Sequence, residues 1–398
     1  MANAHPTMSN VQRCFAVTKK ALSRFQFITT RFDPASLGAG EILLDVDKFA
    51  FTANNMTYAH AGGPPLNYWH FYDNLCGGGE NAFGIIPVWG FGTVTHSRNE
   101  HVAEGTRHYG YYPMASCVKF NPSKASPPSF TVTREDPALA AVYNSYLNTA
   151  TDPFYAGSAC ENSMMVYRPL FLTSFFLDDY CASKFKSVGQ VILTSASSKT
   201  AFALAHQLKQ RGVTVIGLTS ARNLGFCESL RLYDSVCDYE NISDIQSNET
   251  KTVVVDMAGS HDVNLSIDKH FATNIVENVG VGMTHNTVLF GDKSALSEHA
   301  QVSQDPLTPF LAPRFGRRSH RLSQATRTFF FAPAWIEKRI AEDATIMESA
   351  AASYIKFTDT SDEKNWLVFN TAMPVEGVYA ASESNSVNPN TGLITRVV

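Results

Sequence analysis

From Gly40 to Phe51 apolar and polar positions alternate with period two, which predicts a half-buried strand. Phe15-Ala-Val, upstream, reads as an earlier strand of the same region. Between residues 62 and 113 Gly and Pro recur densely around short Val, Tyr and Phe runs, the pattern of a small barrel of short strands and turns. From about Tyr143 the period changes, and Met164, Tyr167, Leu170, Phe171 and Phe175 recur at helical spacing. Three strand-like runs follow, Val191-Ile-Leu-Thr, Thr214-Val-Ile-Gly-Leu and Thr252-Val-Val-Val-Asp, separated by helical patterns, and Asn274 to Gly282 supplies a fourth.

Strands that alternate with helices predict right-handed βαβ units around a parallel sheet, a Rossmann-like half. After Pro306 the pattern dissolves into Pro and Arg (Pro309, Pro313, Arg314, Arg317, Arg318, Arg321), a surface loop, before a helix from Ala334 to about Lys356 and a strand from Trp366 to Asn370. The expected architecture is α/β, with a β-barrel domain over 1–145, a doubly wound parallel sheet over 146–310 and a tail of loop, helix and strand over 311–398.

Composition narrows the class. At 398 residues, and with one domain per roughly 150 residues as a prior, two or three units fit. Apolar residues at 44% and charged residues at 17% exclude disorder. A net charge of −4 leaves no basic surplus for a nucleic-acid backbone, so no nucleic-acid partner is expected. No apolar run approaches the ~20 residues of a membrane span, so no membrane partner is expected either. Seven dispersed cysteines without a CxxC pair read as reduced thiols and argue against structural zinc. The expected location is cytoplasmic, although residues 1–32 carry Arg13, Lys19, Lys20, Arg24 and Arg31 before the first acid, Asp33, and so imitate a mitochondrial presequence.

The chemistry is read at the turn after the first parallel strand, where glycines ordinarily admit a dinucleotide's diphosphate to a helix N-terminus. Here the turn is Thr194-Ser-Ala-Ser-Ser-Lys-Thr-Ala, with no glycine. Ser195, Ser198 and Ala201 fall at G-x-x-G-x-x-G spacing and every one is small. Ser195, Ser198, Lys199 and Thr200 are therefore candidate diphosphate ligands through hydroxyls, free N–H groups and one ammonium. The competing reading is a Ser-rich N-cap with Lys199 in solvent. The second strand ends in Leu218-Thr-Ser-Ala-Arg, where Ser220 and Arg222 suit the 2′-phosphate of NADP better than the ribose hydroxyls of NAD. Arg222 as a solvated loop residue is the alternative.

These features, with Gly90-Phe-Gly-Thr-Val, Tyr109-Gly-Tyr and the strand series from Val191 to Gly282, resemble the medium-chain dehydrogenase/reductase superfamily over most of the chain. The nearest local similarity is to its zinc-free quinone oxidoreductase and enoyl reductase branch. Tyr143-Asn-Ser-Tyr-Leu, Thr151-Asp-Pro-Phe-Tyr and Phe329-Phe-Phe-Ala-Pro resemble a group within it catalogued as a domain of unknown function. The resemblance implies a GroES-like catalytic barrel to which the tail returns, an inserted Rossmann domain and an active site in the cleft. It also implies a possible homodimer, with the strand near Asn274 to Gly282 extending a sheet across subunits.

Zinc-dependent members have Cys and His where this chain reads Phe51-Thr-Ala-Asn-Asn-Met-Thr-Tyr, so no metal is expected. By alignment with the branch, Thr52, Asn55 and Tyr58 border the reacting carbons, Tyr58 near a position where some enoyl reductases carry a catalytic tyrosine. Thr173 falls beside the nicotinamide, unless it only back-bonds within its helix. Gly259 and Gly282 line the crevice above the sheet, and His285 is a loop histidine without an evident partner. A P-loop lacks both its glycines, no G-x-S-x-G elbow is present, and the adjacent Asp178 and Asp179 point apart on a helix. The expected activity is zinc-independent NADP(H)-dependent reduction or oxidation of a small enoyl, enone or quinone-like compound. A cofactor-free lyase, isomerase or cyclase on the same scaffold, or a non-catalytic ligand binder, is the rival.

Overall fold

The computed structural model describes residues 10–64, 66–76, 83–136, 139, 141–186, 188–246, 249–281 and 326–398. The expected loop Arg314 to Arg321, Gly282 and His285 lie outside the described residues. The chain divides into one unit of Met1–Val166, Val368–Val387 and Thr391–Val398 and a second of Tyr167–Leu367 and Asn388–Asn390. The first boundary thus falls at residue 166, inside helix Glu161–Lys184, rather than at 145. The tail rejoins the first unit at Val368 rather than at 311, because a strand and two helices beyond residue 325 belong to the second.

In the first unit the alternating segment forms strand Ile42–Phe51. It pairs along its length with Pro87–Ser97, at its start with Cys117–Phe120 and at its end with Thr391–Thr395. Register shifts at Leu43/Leu44 and Val46/Lys48 interrupt the ladder with Pro87–Ser97. Such irregularities bend a strand and let one segment serve several neighbours. Arg107–Pro113, Ser145–Asn148, Ser129–Thr131 and Lys124–Ser126 continue the nine-stranded sheet. Two glycines are needed for close approach: a Cβ at Gly90 would lie 2.6 Å from the Lys48 carbonyl, and one at Gly110 would lie 2.2 Å from the Tyr146 ring. Glu161 is buried and takes a forked bond from Arg107 at 2.8 and 3.0 Å, with Lys48 at 2.9 Å.

The second unit is a six-stranded parallel sheet. Its order is Ser235–Asp238, Thr214–Thr219, Gln190–Leu193, Thr252–Asp256, Ile275–Gly280, Thr326–Phe329. Strand order reverses between Gln190–Leu193 and Thr252–Asp256, which is where open α/β sheets bind ligands. Ile275–Gly280 is flanked on both sides, so it is not the free edge that a sheet continued across subunits needs. The apolar runs are buried because helices cover them: Ile192, Ile216, Leu218 and Val254 pack with Ile267 and Phe271. Tyr167, Phe202, Phe357 and Trp366 form a second aromatic group, with Tyr167 and Phe357 edge to face at 5.0 Å and Phe357 to Trp366 at 5.9 Å.

The helix expected from Ala334 to Lys356 is two, Ala332–Glu342 and Ile346–Lys364. Asp343 breaks it by accepting from Thr345 N at 2.9 Å and Thr345 Oγ1 at 2.7 Å, a local bond that competes with helical continuation. Asp178 and Asp179 diverge, one bonding Arg211 and the other Trp335 and Arg339.

His108, in the first unit, is buried edge-on against Phe130 at 5.0 Å, with its Nδ1 lacking a partner. Burial holds its pKa down at about 4. The unfolded chain takes up that proton near 6.5. Stability is therefore fully present above that pH and falls as pH drops towards 4, by up to roughly 3 kcal/mol from this group. His108→Leu should flatten the decline in melting temperature across this window; an unchanged acid slope would show that other groups carry it.

Candidate functional site

At the switch point strand Gln190–Leu193 runs into the glycine-free turn. Ser195 adopts φ +49°, a left-handed conformation that glycine takes without steric penalty and serine does not. The surroundings hold it there. Its N–H donates to the Tyr239 hydroxyl at 2.9 Å, Ala196 N donates to Leu218 O at 2.9 Å, and the Tyr233 hydroxyl donates to Ala196 O at 2.6 Å. The Ser195 hydroxyl itself is buried without a partner.

Ser198 caps helix Lys199–Gln210, its hydroxyl accepting from Ala201 N at 3.2 Å. Thr200 lends its carbonyl to Ser174 at 2.7 Å. Lys199 occupies the first helical position, in a first turn without an acid. A cation there opposes the positive end of the helix dipole, so this terminus holds two like contributions that an anion relieves. The Lys199 ammonium donates to the Pro389 carbonyl at 3.0 Å, and desolvation pushes its pKa down to about 8.

The neighbouring strand, Thr252–Asp256, ends in Asp256. Its buried carboxylate accepts from Thr194 Oγ1 at 2.7 Å, Ala258 N at 3.1 Å, Gly259 N at 3.0 Å and Asn264 Nδ2 at 2.6 Å. Gly259, at φ +68°, occupies the turn this creates. At the end of the second strand, Asn223 joins the Ser197 and Ser220 hydroxyls at 3.0 and 3.2 Å, while Arg222 beside it is exposed. Thr173 donates to the Pro169 carbonyl at 3.1 Å, whereas its neighbour Ser174 donates to the Thr200 carbonyl.

In the first unit Thr52 and Asn55 form the capping box of helix Ala53–His60, the Asn55 side chain also donating to Pro87 O at 3.0 Å. Both are thereby committed to holding the helix. Tyr58 is buried, and its oxygen accepts from Asn54 Nδ2 at 2.7 Å and Trp89 Nε1 at 3.4 Å. Burial raises its pKa well above the ordinary phenol value, so it stays protonated. Among the described residues no three His, Cys, Asp or Glu side chains are grouped as a metal site requires.

Sequence reading brought Ser195, Ser198, Lys199 and Thr200 together at one turn, and Ser220 with Arg222 at another. It did not find Asp256, Tyr239, Ser197, Asn223 or Asn54. For Asp256 a signal was present, an acid closing an otherwise apolar strand; Tyr239 is contacted from 44 residues away and left none.

The fold is that of the medium-chain reductases, a GroES-like barrel with a Rossmann sheet. CurA from Vibrio vulnificus in complex with NADPH is similar at TM-score 0.61 and 11% identity, over 97% of this chain and 99% of that one. A mutant form of enoyl thioester reductase from Candida tropicalis and the Etr1p/NADP/crotonyl-CoA complex are each similar at TM-score 0.54 and 8% identity, over 97% of this chain and 100% of theirs. Within that fold the chain belongs to the family described as "Protein of unknown function (DUF2855)", whose model matches residues 49–387. No curated protein matches in sequence. Among the described residues no helix is long and apolar enough to cross a membrane.

Ser195→Gly should relieve the left-handed strain and remove the orphaned hydroxyl, stabilising the protein by about 1 kcal/mol. Calorimetry should show a higher melting temperature, and a lower one would mean that the serine hydroxyl has a partner worth more than the strain.

Proposed function

We propose that the protein is an NADP(H)-dependent reductase of medium-chain type acting, without zinc, on a small enoyl, enone or quinone-like compound. The observation that carries this reading is the helix mouth at Ser195 to Thr200: a desolvated ammonium at a positive helix end, first-turn N–H groups and an unpartnered buried hydroxyl, all at the strand-order reversal. These groups fit a diphosphate. The fold's likeness to structures holding NADPH and NADP agrees with it.

NADPH, when bound, supplies the hydride. Lys199 and the first-turn N–H groups hold its diphosphate, with Ser195, Ser198 and Thr200 around them. Ser220 and Arg222 hold the 2′-phosphate, steadied by Asn223, and Thr173 and Gly259 lie along the crevice. Tyr58 donates a hydrogen bond to the substrate oxygen as negative charge develops there. Thr52 and Asn55 keep the helix that carries Tyr58 in place. Positions 51–58 offer hydroxyls, amides and a thioether rather than thiolate and imidazole, so chelators should leave activity unchanged. A cofactor-free lyase or isomerase is the second reading, favoured by the side chain at Ser195 and by the Tyr239 hydroxyl on its N–H.

Titration with NADPH and NADH, followed by fluorescence and melting temperature, decides between them. The reductase reading expects saturable binding, tighter for NADPH, and silence with both nucleotides hands the case to the second reading. Arg222→Ala should weaken NADPH by about tenfold, the loss of one charged contact, and leave NADH nearly unchanged. Equal losses would refute the 2′-phosphate assignment.

Because the free Lys199 loses its proton near pH 8, anion binding above that pH requires the proton to be taken up again. NADPH affinity should therefore decline by up to about tenfold per unit as pH rises above 8. Lys199→Met should bind more weakly at pH 7 and lose that dependence; a variant that keeps it would clear Lys199 of the role.

A further inference from the structure

We infer that the cavity at the amino ends of strands Gln190–Leu193 and Thr252–Asp256 is a binding site for a small carboxylic acid with an apolar body. It lies within the second unit, at the other end of the first strand from the Ser195 turn, and stands whichever reading of that turn holds. Its volume is about 280 Å³. An engineered apolar cavity of about 150 Å³ takes up benzene, so one or two fused rings fit here. Helix Glu161–Lys184 and the turn after it contribute Cys181, Phe185 and Lys186, Arg211 enters from the end of helix Lys199–Gln210, and Val191 and Val253 face the cavity from the sheet.

The inner end is apolar. Val191, Val253 and Cys181 are buried, and desolvation pushes the Cys181 thiol up to about 12, so it offers a soft apolar contact rather than a thiolate. The carboxylates that act on that thiol are already engaged, Asp178 with Arg211 and Glu277 with the Thr328 hydroxyl. They repel a further anion, so this end takes the hydrocarbon. The rim has the opposite character. Arg211 Nε donates to Asp178 Oδ1 at 2.9 Å and Nη2 stands 2.9 Å from the same oxygen, which leaves Nη1 with both protons uncommitted among the described residues. Lys186 is exposed and pairs with no carboxylate among the described residues. Two helices end here, but their partial negative charge is damped: the N–H groups of Arg211, Gly212 and Val213 bond the carbonyls of Gln207, Leu208 and Lys209, and Phe185 N bonds Cys181 O at 2.9 Å. Two whole positive charges therefore stand over an apolar chamber. A carboxylate at the rim meets the planar guanidinium edge and the ammonium, while its body lies against the valines.

2-Naphthoate, which fluoresces, and its neutral counterpart 2-naphthylmethanol test the site in the full-length protein. Titration followed by fluorescence should show saturable binding of naphthoate, about tenfold tighter than that of the alcohol, the order expected for hydrogen bonds to a charged group. Lys186→Met and Arg211→Met should each weaken naphthoate by about tenfold and leave the alcohol unchanged. Ala182→Phe, which fills the chamber from its lining, should abolish the binding of both. Absence of saturable naphthoate binding, equal affinity for acid and alcohol, or wild-type naphthoate affinity in any of the three variants overturns the inference. Arg211→Met leaves Asp178 without its partner; if that variant fails to fold, Lys186→Met and Ala182→Phe decide.

Discussion

The second unit depends on how one buried carboxylate is satisfied. A buried Asp256 side chain is tolerable only because it accepts from Thr194, Asn264 and two successive backbone N–H groups. Thr194 in turn accepts from Met257 N at 2.9 Å and Ala258 N at 3.0 Å. The ends of the two strands that flank the order reversal are therefore tied to each other. The direction in which each chain leaves the sheet follows from that tie. Asn278 extends it to the next strand by donating to Asn264 Oδ1 at 2.8 Å. Strain at Ser195 persists because the residues before and after it are already fixed; a serine in a left-handed conformation survives only where its surroundings over-determine it.

A turn built this way substitutes for glycine rather than lacking it. Glycine would admit a diphosphate by leaving space. Here alanine and serine keep the side chains minimal, and Tyr239 and Tyr233 hold the backbone in a left-handed bend. On the proposed reading the attraction for an anion comes from Lys199 at the helix start, and charge there compensates for reduced room. Lys199 donates to a backbone carbonyl, and among the described residues no carboxylate pairs with it.

Much of this was legible from residue pattern, and the gaps have physical causes. Val191-Ile-Leu, Thr214 to Leu218 and Thr252 to Asp256 read as strands because burial on both faces makes them continuously apolar. Ser235–Asp238 escaped because an edge strand, partly exposed, carries no such run. Thr326–Phe329 reads Thr-Arg-Thr-Phe, polar at three of its four positions, and follows the Arg-rich stretch, so nothing local marks it as part of the sheet. Thr52 and Asn55 were legible as polar residues near a predicted strand end, but the same pattern is a helix-capping signal, and the structure uses it so. Tyr239 and Asn54 could not be read in their roles, since each acts on a partner that only the folded chain identifies.

The two units deal with negative charge by opposite means. In the second, cationic and backbone groups gather at strand and helix ends, suited to a ligand that arrives already charged. In the first, the phenols of Tyr58, Tyr68, Tyr111 and Tyr143 are kept neutral by burial, and their electrostatic neighbours are largely one another. A full charge brought there would have to shed its hydration against dipoles alone, an unfavourable exchange for a ground-state anion. Charge that develops only during reaction, on an oxygen already within reach of a donor, incurs no such penalty on binding. On the proposed reductase reading, the aromatic shell of the first unit therefore selects for compounds neutral at the reacting end.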